Sequence, residues 1–158
     1  MDIAGATSVV TGRFAITPSF AEMSWHRTLC GVVGLMARSS IHRGWSVADI
    51  ERLIVPPLKA RQAVVLEERG HIVGFGSVAL LTEEAQQGYR DGTRRIRPSD
   101  WSAGGHIWLV DVIAPYGHAS QVTRALRLDF RERGFGGQYV NFRRNKGTGE
   151  RRYARVMI

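Results

Sequence analysis

A single cysteine, Cys30, stands in this chain of 158 residues. An internal disulfide is therefore excluded, and such sparing use of cysteine fits a reducing compartment. The apolar neighbours of Cys30 suggest a small buried hydrophobe more than a nucleophile. No apolar run approaches the roughly 18 residues that a membrane-spanning helix requires. The first 24 residues mix Gly, Ser, Thr and Pro with scattered apolar side chains. They lack a basic start followed by a continuous apolar stretch, so no secretory signal is expected. Acidic residues are also few, 14 against 22 basic ones, for a formal charge of +8. Together these absences predict a soluble, cytoplasmic protein. The positive charge predicts an acidic partner, whether nucleic acid, an anionic membrane surface or an acidic protein, and charge alone does not choose among them.

What the chain does have is material for a core. Hydrophobic residues make up 44% and aromatics 9%, a globular composition long enough for one domain. Residues 1–24 read as an N-terminal arm or loosely attached lead-in, and 25–158 as the domain. From Ser24 to about Arg38, Leu29, Val32, Val33, Leu35 and Met36 support a helix that Gly31 and Gly34 weaken. Ser46 with Asp49 three residues on has the form of a capping box, and the helix it opens should end before Pro56-Pro57. Gln62–Leu66 and Ile72–Leu81 read as a hairpin around a polar turn that contains Gly70. Gly74 and Gly76 mark a bulge or a close backbone approach in its second strand. Thr82 followed by Glu83 and Glu84 starts another helix, to about Arg90. Val122, Leu126 and Phe130 make residues 119–131 an amphipathic helix. Tyr139–Phe142 and Tyr153–Ile158 read as two last strands around a turn at Asn145–Glu150. Helices, then strands with helices inserted, predict a mixed α/β domain.

The most informative stretch is 99–118. A loop with Asp100 and Trp101 leads through Gly104-Gly105 into the apolar run Ile107–Ala114, which Pro115 and Gly117 stop. The run suits a strand buried on both faces, where alternation is lost. Asp111 interrupts it once, and a carboxylate there is costly unless it is paired. The best partner lies far upstream, at His42.

Two long segments carry a family likeness. Ser39-Ser40-Ile41-His42-Arg43-Gly44-Trp45-Ser46-Val47 resembles the Ser-Pro-Leu-His-Arg-x-Trp-Pro-Val segment of the RTX toxin-activating lysine acyltransferases. Asp100-Trp101-Ser102, followed by Trp108-Leu109-Val110-Asp111-Val112-Ile113-Ala114-Pro115-Tyr116-Gly117, is similar to a second segment of that family. Ile54-Val55-Pro56-Pro57-Leu58 and Gln62 also fall at matching places. Ser40 stands where the family has proline, and Ala103 and Gly105 where it has serine and aspartate. The resemblance, over about residues 30–130, implies a domain similar to the Gcn5-related acetyltransferase fold, a central mixed sheet flanked by helices. It implies transfer of a fatty acyl group from acyl carrier protein to a lysine ε-amine of a target protein, such as a protoxin or a phage or secretion-system component. The family's catalytic histidine and aspartate map onto His42 and Asp111, and an active serine onto Ser39. No tightly bound cofactor is implied, since the acyl carrier protein is a substrate. Family members often dimerise, so a homodimer is one assembly to expect.

The chemistry agrees with that mapping. A lysine amine is protonated at neutral pH and must lose a proton before it attacks a thioester. Histidine titrates near neutrality and can take that proton, with a carboxylate to orient the ring. Acylation of His42 itself stays open as a first step. Backbone amides in the turn Pro115-Tyr116-Gly117-His118 are placed to contact the thioester oxygen or the pantetheine arm of the donor.

Other readings compete. His42 without its motif would be an ordinary surface histidine. His106 and His118 flank the central strand but share no metal-ligand spacing, so no metal is expected. Trp101 and Trp108 read as core or shelf residues. Arg131-Glu132-Arg133-Gly134-Phe135-Gly136 matches the phosphate loop of acetyl-CoA-dependent acetyltransferases, but it closes a helix and leads into a strand, as a glycine C-cap would. Ten Arg and Lys between Arg124 and Arg155, against Asp129, Glu132 and Glu150, form a basic face. It is assigned first to the acidic carrier protein and second to nucleic acid, with Tyr139, Phe142 and Tyr153 as interleaved aromatics. The rival of another class is a basic binding module without activity.

Overall fold

In the computed structural model, which describes residues 9–11, 14–18, 25–145 and 151–158, the expected hairpin is the centre of the sheet. Its strands are β3 (Ala63–Glu68) and β4 (His71–Leu81). Arg69 and Gly70 close it, both at positive φ, 51° and 78°. That pair of conformations matches the right-handed twist of the strands it joins.

The sheet has seven strands in chain order, completed by β1 (Val9–Thr11), β2 (Phe14–Pro18), β5 (His106–Ile113), β6 (Tyr139–Asn145) and β7 (Arg151–Met157). All neighbours are antiparallel except β5 and β6. A parallel pair needs a crossover, and helix α5 (Ala119–Phe130) supplies it. The sheet is thus mixed, and helices flank it on both faces, an arrangement compatible with the Gcn5-related acetyltransferase fold. Within the lead-in 1–24, β2 pairs with β3 from Ala15↔Glu67 to Pro18↔Val64. The turn expected at 145–150 lies, past Asn145, outside the described residues.

Helices α1 (Trp25–Arg38), α2 (Val47–Leu53), α3 (Val55–Lys59) and α4 (Glu83–Asp91) complete the fold. The capping box at Ser46 forms: its hydroxyl accepts from the Asp49 amide while the Asp49 carboxylate accepts from the Ser46 amide. The Ser46 hydroxyl also donates to the Asp49 carboxylate, and this bond, with those from the Ser46 amide and Arg52, lowers the Asp49 pKa to about 2. Pro56-Pro57 does more than end a helix. Both prolines sit in the first turn of α3, where no amide donor is needed. A second correction concerns Cys30, which is exposed. Helix α1 turns Thr28, Val32, Leu35 and Met36 inward, and at 3.6 residues per turn Cys30 falls off that face.

The two faces of the sheet carry different cores. Ala63, Val65, Phe75 and Ile113 pack against α1 and α3 through Val32, Leu35 and Leu58. Val64, Leu66, Val78 and Ile107 pack against α5 through Val122, Leu126 and Phe130. Gly74 and Gly76 face α5, where an added Cβ would lie 2.7 and 2.5 Å from Val122 side-chain atoms. Here the glycines serve close approach. A third cluster, on the α1 side, joins Ala79, Leu81, Trp101 and Trp108. Both tryptophan indoles donate inside it, Trp101 to the Arg52 carbonyl and Trp108 to Gln86 Oε1, as buried indoles should.

One irregularity decides what faces what. Along β4 and β5 the register runs Val78↔Leu109 and then Ser77↔Asp111, so Val110 is an extra residue in β5. Without this bulge Asp111 would pair with Gly76 and face α5, because side chains alternate along a strand. The bulge turns it to the face of Phe75 and Ile113, beneath α1. The strand also departs from the expected double burial. Ile107 and Trp108 are buried, but Leu109–Val112 are only half-buried, because the ladder to β6 ends at Leu109↔Phe142.

Candidate active site

His42 sits in a turn that follows α1 directly. The Ser39 carbonyl accepts from the Arg43 amide and the His42 carbonyl from the Trp45 amide. This winding puts the side chains of Ser39 and His42 on one side, as three-residue spacing does in a helical turn. The Trp45 ring meets the imidazole edge-on, 4.8 Å between centroids. His42 is 4% exposed and Ser39 9%. The turn is thus a fixed platform.

From the opposite side comes Asp111. Its carboxylate accepts from the Val112 amide at 2.8 Å and lies 3.0 and 3.2 Å from His42 Nε2. Ser39 Oγ lies 2.6 Å from His42 Nδ1. An ionised carboxylate only accepts, so Nε2–H donates to Asp111 in the neutral ring. Nδ1 is then the bare nitrogen, and the Ser39 hydroxyl donates to it. If the ring gains a proton, the same hydroxyl rotates to accept from Nδ1–H. Ser39, His42 and Asp111 therefore form a chain that holds one added proton without losing a hydrogen bond. The residues are 69 positions apart between His42 and Asp111, and the bulge at Val110 is what brings them together.

The pair opens into a cavity of about 630 Å³, within the usual range of small-molecule sites. Ile41, Trp45 and Arg52 line one wall, Arg94, Arg95 and Ile96 another, and Arg143 and Phe142 of β6 a third. Among the described residues that line it, four are arginines and Asp111 is the one acid. Three of the arginines are braced. Arg94 pairs with Asp100 at 2.5 Å, Arg52 with Asp49 at 2.8 Å, and Arg143 lies over the Tyr89 ring. A positive cleft of this kind draws an anionic partner.

The second of the two family-like segments of the sequence thus has two roles. Asp111 reaches the cleft, whereas Asp100 and Trp101 support its walls. Asp100 accepts from the Arg97 amide as well as Arg94, and the Trp101 indole holds the end of α2 through Arg52. The Gln62 side chain donates to the Trp101 carbonyl and accepts from Ser102 Oγ.

Other sequence expectations fall elsewhere. Pro115-Tyr116-Gly117-His118 forms the turn from β5 into α5, with Gly117 at φ +90° and the His118 carbonyl accepting from the Val122 amide. None of these four lines the cavity beside His42. Of the late basic run, Arg143 reaches the cleft, while Arg124 and Arg127 border a separate groove under α5. His106 pairs with Glu83 at 3.0 Å on the surface. Among the described residues no group of three or more His, Cys, Asp or Glu stands placed to hold a metal ion. No described helix is long and apolar enough to cross a membrane. Sequence reading missed Arg52, Arg94 and Arg95, which come from segments with no motif of their own.

Comparison with known proteins fits this geometry. The chain is 33% identical over 99 residues to the RTX-II toxin-activating lysine-acyltransferase ApxIIC of Actinobacillus pleuropneumoniae, covering 63% of this chain and 62% of that one. It is 35% identical over 98 residues to the lysine-acyltransferase RtxC of Vibrio cholerae, covering 61% and 64%. With the protein-lysine myristoyltransferase HlyC of Escherichia coli it shares 30% identity over 96 residues, covering 61% and 55%. The chain thus spans about three fifths of the length of the curated relatives it matches. The model of the HlyC family, RTX toxin acyltransferases, matches residues 22–156, nearly the whole chain, and the protein belongs to that family.

Proposed function

We propose that this protein transfers a fatty acyl group from acyl carrier protein to a lysine ε-amine of a target protein, a protoxin or a related secreted or phage component. The observation that carries this reading is the Ser39–His42–Asp111 chain at the wall of an arginine-lined cleft. An acceptor lysine enters as an ammonium, and Asp111 is the group in the cleft that attracts it. When the ammonium donates to the carboxylate, it replaces His42 Nε2–H there. The ring proton moves to Nδ1, and Ser39 turns to accept it.

Nε2 is then bare beside the ammonium and takes a proton from it. The freed amine attacks the thioester carbonyl, the N–C bond forms, the C–S bond breaks, and the thiolate leaves. His42 returns a proton to that thiolate, and the second proton lost by the amine goes to solvent. His42 is the general base in this scheme, Asp111 its partner and the ammonium site, and Ser39 a positioning residue. The arginines suit the acidic surface and phosphate of the carrier protein. The turn at Pro115–His118 is assigned to the donor's pantetheine arm.

The test is intact-mass spectrometry of a target co-expressed with this protein. The toxin named for the Actinobacillus relative serves as one such target. Wild type is expected to add a fatty-acyl mass, and His42→Ala and Asp111→Ala to cut it by roughly a hundredfold or more. An undiminished mass in the His42→Ala variant would refute the assigned base. No added mass on any target, alongside tight salt-sensitive binding to nucleic acid, would replace the enzyme by a basic binding module.

A further inference from the structure

A second hollow, of about 380 Å³, opens on the α1 side of the sheet where β5 and β6 begin. Arg90 of α4, Gly105 and His106 at the head of β5, Tyr139 and Asn141 of β6, and Arg155 of β7 line it. The Arg90 guanidinium lies over the Trp108 ring and that of Arg155 over the Tyr139 ring, 6.0 and 4.6 Å from the centroids. A ring covers one face of a guanidinium and leaves its N–H edge to an oxygen anion. Among the described residues neither arginine pairs with a carboxylate, whereas Arg52, Arg94 and Arg133 do. The family segment has aspartate at the place of Gly105, and this chain has no side chain there. The hollow therefore lacks the acid that the motif would supply.

The hollow and the His42 cleft share one strand. Ile107 faces α5, so alternation puts His106 and Trp108 on the opposite face, and the bulge adds Asp111 to it. His106 lines the hollow and Asp111 the cleft, roughly 15 Å apart at the rise of a strand. Between them the Trp108 ring meets Tyr89 and Tyr153 edge-on. The turn Pro115–His118, assigned to the donor's arm, lies beyond the other end of β5. The two sites ask for opposite charges, since Asp111 takes an ammonium while Arg90 and Arg155 take an anion. A nucleic acid supplies only the second, and the carrier protein brings its arm to the far end of the strand. A peptide supplies both.

Resting on the acyltransferase reading above, we infer that the hollow between Arg90 and Arg155 takes an acidic side chain of the acceptor protein, roughly three to five residues from the lysine that enters the cleft. An extended segment of that length spans roughly 10–17 Å, which matches the separation of the two sites. Arg90 and Arg155 present their edges to the carboxylate, and the lysine reaches Asp111. The acceptor is thus read at two points, and its lysine is chosen partly by an acid nearby.

The experiment measures binding of two synthetic peptides, each of about thirteen residues, to the full chain by calorimetry at low salt. Both have lysine at the centre. One has glutamate at the fourth position on either side, and the other has glutamine there. Wild type is expected to hold the glutamate peptide roughly tenfold tighter. Arg155→Glu reverses one charge of the hollow. Gly105→Asp restores the family's acid where an added Cβ meets nothing within 4 Å beyond its chain neighbours. Both variants are expected to bring the ratio of affinities near one, while Gly105→Asn, of the same size without the charge, keeps it. Circular dichroism checks that each variant is folded. A wild-type ratio near one, with acyl mass still added to a co-expressed target, would overturn the inference and leave the enzyme. So would a ratio that persists in both folded charge variants, or one that Gly105→Asn removes as fully as Gly105→Asp. Binding of oligothymidylate that both charge variants abolish, with the two peptides held alike, would give the hollow to nucleic acid and also overturn it. No acyl mass on any target would remove the acyltransferase reading and this inference with it.

Discussion

Asp100 and Asp111 lie eleven positions apart in one family segment, one behind the wall of the cleft and one at its surface, and they are built for different work. Asp100 is 6% exposed and fully committed, to Arg94 at 2.5 Å and to the Arg97 amide at 2.8 Å. Every partner it has is a fixed cation or a backbone donor. Asp111 has a fixed amide on one oxygen, but its other main partner is an imidazole, which can gain or lose a proton. The difference teaches how to separate a supporting carboxylate from a working one. Burial and hydrogen bonding are similar, and what differs is whether the partner can change its charge.

The sharpest way to break this comparison is to neutralise each acid in turn. Asp111→Asn is expected to lower acyl transfer by roughly a hundredfold to ten-thousandfold while the thermal midpoint moves little. Asp100→Asn should do the reverse. It leaves Arg94 with only the longer pairing to the exposed Glu84, at 3.4 Å, and costs about 2 kcal/mol of stability in denaturant unfolding, with transfer by the folded fraction largely kept. Equal loss of activity in two well-folded variants would abolish the distinction. A smaller effect is expected at Ser39→Ala, which leaves Nδ1 without its hydroxyl partner. It should cost roughly ten- to a hundredfold in rate with a changed pH profile, because Ser39 acts only through the ring. An unchanged pH profile would make Ser39 merely structural.

The smallest effect belongs to the cap that starts the next helix. Ser46→Ala removes both hydrogen bonds of the serine side chain to Asp49 and should lower the thermal midpoint by roughly 2–4 °C near neutral pH. Asp49 has its pKa depressed from 3.8 to about 2, so the stabilisation from its ionised form is complete above the ordinary carboxylate range. It is lost as the pH falls toward about 2. The deficit of the variant should therefore shrink in a melting series carried down through that window.

Much of this fold can be read directly from local pattern. The hairpin around Gly70, the helix with Val32, Leu35 and Met36 on one face, and the cap at Ser46 each depend on residues close in sequence. The need of Asp111 for a partner was also legible, since a carboxylate in an apolar run has few ways to be satisfied. What was not legible depends on where the chain returns in space. The bulge at Val110 leaves no mark in the residue types. Arg52, Arg94 and Arg95 come from a helix and a loop that meet β6 only in the folded sheet. Cys30 looked internal by its neighbours, and helical periodicity turned it outward. The prolines at 56 and 57 stop one helix and begin another because a first turn needs no amide. That choice depends on how α2 and α3 pack.

The extra residue at Val110 has a consequence for inheritance. A strand position has only two possible facings, so the number of residues between two points acts as a parity. Between Trp108 and Ile113 that parity is odd by count and even by facing, because one residue is spent in the bulge. A point substitution there changes a side chain, but a one-residue deletion reverses an address. Deleting Val110 would leave every other letter of the motif intact and deliver Asp111 to the wrong side of the sheet. Length in this strand is therefore a heritable trait in its own right, and a lineage can lose its acid–base pair without mutating either member of it.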